Sequence, residues 1–435
     1  MPKTAASVAH PLPVADGAVL QRLVASARRL QPALVADRRY LHAHPELGWE
    51  ENETTAFVAR RLTEIGYAVR VGSDFLGDAP RLGQSALSPA ETGCVAEMNG
   101  ALPGPTVVIR IDLDALPITE AADGRPAVEG WASQRKGIMH ACGHDGHVAI
   151  GLGVAQLLAE RAGEFAGRLR LLFQPAEEGA RGARSVVEAG WLDDADVLLG
   201  FHIGLGVPTG SLALGVQGFL ASKKFRLRLT GRPAHAGNAP EQGRNALIGA
   251  CQIVLALQSL AQSSRPNVRV NVGVMNAGRA LNVVPENAEL AFELRAGARH
   301  DLDALVERAN EVVEGIARGH GLQHAIELIG EAADWANPPE MAGWAHEVAQ
   351  RADLFANHLM QHEFGASEDA TLMLRAVADR GGLGGYFVLG SDLASGHHTA
   401  NFDFDEDVLS SGAAFVGALA LSALRSPNLR REASA

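Results

Sequence analysis

A change of hydrophobic rhythm near residue 216 constrains the fold of this chain more than any other feature. Before it, apolar runs (Thr106-Val107-Val108-Ile109-Arg110-Ile111, then 168–173 and 196–201) alternate with segments of helical spacing. Runs of this kind suit strands buried on both faces. Helices are predicted over 18–37, where Leu20, Leu23, Val24, Ala27, Leu30 and Leu34 share a face, over 53–65, ahead of a terminating Gly66, and over 147–161. The segment 73–105, rich in Gly, Pro, Ser and Ala, reads as a loop. The alternation predicts an α/β fold, a mostly parallel sheet with helices on both faces.

After 216 the period shortens. Phe225, Leu227 and Leu229 occupy every second position of 223–230, as in a half-exposed strand. A helix over 242–262, strands over 267–275 and 286–295, a helix over 301–318 and a strand over 322–329 follow. The order β-α-β-β-α-β is that of a ferredoxin-like unit, and its alternating strands leave one sheet face in solvent. Beyond 335 the first rhythm returns. The chain is therefore expected to form a larger α/β domain from 1–215 and 332–435, interrupted by an inserted α+β domain at 216–331.

The net charge of −12 argues against nucleic acid or an anionic membrane as partner, because both select clustered Lys and Arg. No stretch of about 18 apolar residues offers a membrane span. The start, Met1-Pro2-Lys3-Thr4-Ala5, lacks the basic and apolar regions of a secretory signal. Cys94, Cys142 and Cys251 are few, odd in number and widely spaced, which is no disulfide framework. A reducing cytoplasm is the expected location.

The densest chemical signal is Met139-His140-Ala141-Cys142-Gly143-His144-Asp145-Gly146-His147. Thiolate and neutral imidazole are the side chains that bind borderline metals best. Next, Phe173-Gln174-Pro175-Ala176-Glu177-Glu178-Gly179 sets two adjacent carboxylates at the end of an apolar strand, where open α/β sheets place their sites. Neighbouring side chains point in different directions, so one carboxylate can bind metal while the other faces substrate. Gly200-Phe201-His202 ends another strand, and Gly396-His397-His398-Thr399 precedes an acidic run, Asp403, Asp405, Glu406 and Asp407, read as a solvated helix start. A lone histidine is more often structural. Together, however, Cys142, His144, Glu178, His202 and His398 form a candidate ligand set. Five ligands exceed the three usual for one catalytic zinc and suit two ions. Such a pair polarises a scissile carbonyl and acidifies the attacking water, with Glu177 as the base that carries the proton to the leaving amine. Zinc suits the thiolate and imidazoles; manganese suits carboxylate and water.

Asp112 and Asp114 end a further strand, where a carboxylate either orients a metal-bound histidine or merely closes a turn. In the insert, His235 sits on a Gly-flanked loop from which it can donate to an oxyanion. Asn282-Val283-Val284-Pro285 and Arg295, a candidate carboxylate clamp, complete the inventory. By spacing alone these three are ordinary polar positions.

These motifs, from Arg39-Tyr40-Leu41-His42-Ala43-His44-Pro45-Glu46 to Phe402-Asp403-Phe404-Asp405, span nearly the whole chain. It resembles the M20 family of metallopeptidases and amidohydrolases. The stretches 140–147, 174–179 and 282–285 are similar to its amidohydrolase branch. The runs Arg181-Gly182-Ala183-Arg184, 202–210, 271–278 and Ser367-Glu368-Asp369-Ala370-Thr371 are similar to the aminobenzoyl-glutamate hydrolase A-subunit group within that branch. The resemblance implies a catalytic domain with an inserted lid or dimerisation domain. It implies metal binding by Cys142, His144, Glu178, His202 and His398, and Glu177 as base. It also implies roles near the substrate for His235 and Asn282, often across a homodimer interface, and for Arg295 near a substrate carboxylate. Many branch members read His-x-Pro at the last ligand; here the run is His398-Thr399-Ala400. Members of the group can also work with a different second subunit.

Three activities follow as expectations. One is hydrolysis of acyl-glutamate or acyl-aspartate conjugates, such as aminobenzoyl-glutamate or indole-acetyl-aspartate. Another is a general aminoacylase acting on hippurate-like conjugates of apolar amino acids. The third is a silent partner subunit, which should have lost the base or a ligand; this chain has lost neither.

Overall fold

The computed structural model describes residues 12–84 and 91–426, so the first residues, read above for a targeting signal, lie outside the described part. The apolar runs become neighbours in an eight-stranded sheet. Its spatial order is Ala68–Val71, Cys94–Asn99, Ala166–Gln174, Leu102–Asp112, Val197–Ile203, Leu383–Leu389, Ser211–Ala213 and Asn357–Leu359. The four central strands, from Ala166–Gln174 to Leu383–Leu389, run parallel. Antiparallel pairings lie toward the two edges.

Both faces of this sheet are covered, as continuous apolar strands require. One face packs under Gly17–Ala43, Asn52–Ile65, His144–Ala159, Pro339–Ala352 and Val408–Leu424, in a core that includes Leu23, Val154, Leu158 and Phe415. The other packs under Ala183–Glu188 and Ala370–Asp379 around Val186, Leu198, Met373 and Tyr386. No described helix is long and apolar enough to cross a membrane.

A second, four-stranded antiparallel sheet has the order Gln323–Ala332, Ala221–Thr230, Asn287–Ala296, Arg269–Ala277. This is the 4-1-3-2 order of a ferredoxin-like unit. Its helices, Ala246–Ser259 and Arg299–Gly319, bury one face against a separate core containing Leu227, Leu290, Ile253 and Val313. The other face carries a charged ladder, Arg226 and Arg228 against Glu289 and Glu327.

Two local expectations change. Inside the segment read as loop, Cys94–Asn99 is a strand, with Cys94, Val95 and Ala96 buried opposite Phe173, Leu172 and Leu171. Three apolar residues carry too short a period to be read; the neighbouring strand supplies the missing order. The acidic run after His398 does lead into a helix, Val408–Leu424, with Asp407 exposed at its start, but it is solvated only in part. Asp403 and Glu406 are buried and bonded to Arg38, at 2.6 and 2.9 Å, and to Arg125. The cations that make their burial tolerable lie some 280 to 365 residues earlier in the chain, beyond reach of any sequence window.

Candidate active site

The site forms where the order of the parallel strands reverses. Leu102–Asp112 lies between Ala166–Gln174 and Val197–Ile203, and the C-terminal ends of all three deliver polar residues there. Asp112 and Asp114 leave the first, Glu177 and Glu178 the second, and His202 sits near the end of the third. The helix His144–Ala159 starts at the same place, its first turn reached through Gly143 at φ +94°, a conformation glycine adopts without strain. The segment after Leu383–Leu389 adds His398, whose N–H is anchored on the Ala141 carbonyl at 2.8 Å.

Five donors and the candidate base converge. Cys142, His144 and His202 form one group with ligand atoms within 4.8 Å of one another. Cys142, Glu178 and His398 form a second, and His144, Glu177 and Glu178 a third. Cys142 Sγ lies 3.4 Å from His202 Nε2, and His398 Nε2 lies 3.4 Å from Glu178 Oε1.

The imidazoles are oriented from behind. His144 Nδ1 donates to the Asp114 carbonyl at 2.8 Å, and His202 Nδ1 to the Ile203 carbonyl at 2.8 Å. Each therefore presents Nε2 rather than Nδ1 toward the cluster, the atom left for a metal to take. The Asp114 carboxylate accepts the Glu177 and Glu178 N–H groups at 2.9 Å each, fixing the turn that carries both acids. Asp112 takes His147 Nδ1–H at 2.6 Å and an Arg110 N–H at 2.6 Å, and lies 3.7 Å from His144 Nε2. His147 Nε2 accepts the Ile203 N–H at 3.0 Å, so both of its nitrogens are engaged and it is not a free donor. His140 is buried, and burial pushes its imidazole down to about 4.

The residues fit divalent metal on two grounds. His144 Nε2 and Glu178 Oε1 are buried atoms without a hydrogen-bond partner, which is costly unless something coordinates them. The charges also call for a cation. Burial, then the Glu178 charge, drives the Cys142 thiol well above its ordinary value. Burial, then Glu368, Glu178 and Asp369, does the same to the Glu177 carboxyl. His202 is held well below its ordinary value by burial and then His147, which keeps it neutral and able to ligate. His398 is raised, chiefly by the Glu178 carboxylate beside it.

Sequence reasoning missed the support of Glu177. Buried Arg110 donates to Gln174, Asp112, Glu368 and Asp369 at 2.6–3.1 Å, and Tyr386 donates to Glu368 at 2.6 Å. Glu177, Glu368 and Asp369 lie within 4.8 Å of one another. The available signal was an arginine inside the apolar run 106–111, which only a buried ion pair accommodates.

No described hydrogen bond or ion pair joins the insert's candidates to this cluster. His235 is exposed, and its Nδ1 accepts the Gly237 and Asn238 N–H groups, both at 3.2 Å. The Asn282 carbonyl accepts the Ala236 N–H at 3.0 Å, tying the two predicted loops together. Arg295 is paired with Glu293 at 2.9 Å, and Lys224 approaches the same carboxylate at 3.9 Å.

Residues 108–422 match the model of peptidase family M20/M25/M40. The chain belongs to the M20 family. It is 42% identical over 430 residues to the indole-3-acetyl-aspartic acid hydrolase of Enterobacter agglomerans, covering 92% of this chain and 97% of that protein. It is 40% identical over 424 residues to the A subunit of p-aminobenzoyl-glutamate hydrolase from Escherichia coli (strain K12), with the same coverage, 92% and 97%. Among solved structures it is similar to the Bacillus subtilis YXEP protein, described as a dinuclear metal binding peptidase from the M20 family. The TM-score is 0.66 at 30% identity, covering 91% of this chain and 99% of that one. The chain is thus an M20-type amidohydrolase that uses divalent metal and acts on a small-molecule amide.

Proposed function

We propose that this M20 enzyme hydrolyses the amide bond of N-acyl glutamates and aspartates, with Cys142, His144, Glu178, His202 and His398 as metal ligands and Glu177 as general base. The observation that carries the reading is the convergence of those five donors around Glu177. Zinc is the proposed metal, manganese the alternative, with two ions per protomer. Cys142 belongs to two three-donor groups, one with His144 and His202 and one with Glu178 and His398, which supports a shared pair of sites. Bound there, the metals supply Lewis acidity toward the scissile carbonyl and acidity to the attacking water. Glu177 accepts the water's proton and returns it to the leaving amine. Asp114 and His144 keep the turn and the ligand in register while it does so.

The acidic leaving group is supported by the two similar hydrolases, whose names specify aspartic acid and glutamate conjugates. Arg295 and Lys224 offer cations on one sheet of the insert, and Lys224 is among the charges acting on His398. His235 holds its Nδ1 as an acceptor, so Nε2 carries the proton and is free to donate to an oxyanion. Its exposure supports a homodimer in which the 216–331 insert of one copy serves the 1–215 and 332–435 domain of the other. The edge strand Arg269–Ala277, with exposed Val274 and Met275, and exposed Ile248 and Leu255 on the adjoining helix suit that contact. Three free cysteines agree with a cytoplasmic location.

The test is amino-acid release from a panel of N-acyl glutamates, aspartates and apolar amino acids, with and without chelator. Chelator-sensitive release confined to acidic conjugates is expected. Release mainly from apolar conjugates would replace this reading with a general aminoacylase. No release from any would point to a required second polypeptide, in keeping with relatives that are named as one subunit of a hydrolase.

A further inference from the structure

The turn that carries Glu177 and Glu178 is held by carboxylates at three consecutive amides. Two are the bonds to Asp114 described above. The third is the Ala176 N–H, which donates to Glu51 Oε1 at 2.7 Å across 125 residues of sequence. Glu51 stands at the start of the helix Asn52–Ile65, a position whose side chain usually folds back to cap its own helix. Here it makes no such bond. Glu46 does that work instead, accepting the Glu53 and Thr54 N–H groups at 3.2 and 2.7 Å. Glu51 is thereby released to point inward. It is fully buried, and its second oxygen, Oε2, has no partner.

The reason to bury an acid here lies in Ala176. Its φ is +53°, in the left-handed region that any side chain disfavours, and it is fully buried. Left free, an alanine there relaxes to negative φ, which rotates the flanking peptide planes and swings the Glu177 side chain. A hydrogen bond on the Ala176 N–H opposes that rotation. The approach is close: a Cβ at Gly48 would lie 3.0 Å from Ala176 Cα and 2.9 Å from Asp114 Oδ2. Burial, then the Asp114 charge, pushes the Glu51 carboxyl up to about 8. A neutral acid still accepts the Ala176 N–H through its carbonyl oxygen without setting a second bare charge beside Asp114.

We infer that Glu51 is a positioning residue for the hydrolysis: by holding the Ala176 amide it fixes the left-handed turn that aims the Glu177 carboxylate. The inference rests on the reading of Glu177 as base. It acts through the backbone, so its signature is in turnover rather than in binding.

The test uses the metal-loaded enzyme and four readouts: kcat, KM, metal per chain, and hydrogen–deuterium exchange of the peptide spanning 174–180. In E51A, kcat falls about 10²-fold, the scale expected for a misplaced catalytic group. KM and metal content stay unchanged, because Asp114 still holds the Glu178 amide, and exchange in 174–180 accelerates. E51Q, which keeps the acceptor oxygen and is neutral, stays near wild type in all four. Adding A176G to E51A recovers part of kcat, because glycine holds positive φ without strain. Wild-type kcat in E51A, loss of metal in proportion to kcat, E51Q as slow as E51A, or no recovery by A176G would each overturn the proposal. If E51A does not fold, E51D, which withdraws the acceptor by one methylene, replaces it against E51Q with the same expectations. E177Q assayed alongside separates the two ideas. Full activity in E177Q removes the base assignment itself, whereas an inert E177Q beside a normal E51A removes only the positioning role.

Discussion

Replacing Arg38 by methionine exposes how the chain's two ends hold the site together. Arg38 is fully buried and donates to Asp145 at 3.1 Å, Asp403 at 2.6 Å and Glu406 at 2.9 Å. Its guanidinium also lies 4.0 Å from the Phe404 ring centre. Removing one partner of a buried ion pair costs roughly 3–5 kcal/mol, because a charge is left stranded. In R38M the stranded charge is unevenly shared. Arg125 still serves Asp403 and Glu406, and Arg39 still serves Glu406. Asp145, without solvent exposure, keeps only His42 at 2.9 Å and its neighbouring Gly146 N–H. The expected loss is therefore at the low end, about 3 kcal/mol. Neutralising the stranded acid in R38M/D145N should return about 1–2 kcal/mol, the penalty of one unsatisfied buried group. The assay is urea unfolding at saturating metal, comparing midpoints at constant slope. Asp145 adjoins His144, and Asp403 and Glu406 anchor the segment that follows His398, so metal affinity should fall as well. A loss below about 1 kcal/mol, or none of it recovered by D145N, would mean that Arg38 does not hold these buried acids in place.

Further outcomes follow from the same geometry. E177Q should lower kcat by about 10²–10⁴-fold while metal per chain, measured by atomic absorption, stays at the wild-type level. C142S and H398A should bind less metal, and chelation of wild type should lower its Tm, because metal binds the folded cluster and not the unfolded chain; a Tm indifferent to chelator would contradict the site. The pH dependence of stability has a definite sign. For Asp145, burial is outweighed by the Arg38 charge and the His42 bond; for Asp403 and Glu406, it is outweighed by Arg125 or Arg39 and by Arg38. All three folded values lie below the ordinary carboxylate range. Their stabilisation is therefore present above that range and lost as pH falls below about 4, and R38M should flatten this acid limb. Finally, on the proposed homodimer, V274K should shift the sedimentation profile toward monomer and cut activity with it, because the exposed edge strand and His235 would serve the same contact.

Much of this protein is legible in its residues, because periodicity and chemistry are local. The strand 106–111 could be read from its own apolar run, and the β-α-β-β-α-β insert from its alternation and helix order. The proposed ligands Cys142, His144, Glu178, His202 and His398 are likewise visible by residue type, because thiol, imidazole and carboxylate are the side chains that hold borderline metals. What tertiary structure decided is which distant charges meet. Asp403 and Glu406 look like a solvated acidic run until Arg38 and Arg125 arrive from the other end of the chain. Glu51 looks like one more surface glutamate until the Ala176 amide is set against it. Burial of a charge or of a strained peptide is stable only in the company of its partner, and that company is fixed by packing rather than by neighbours in sequence.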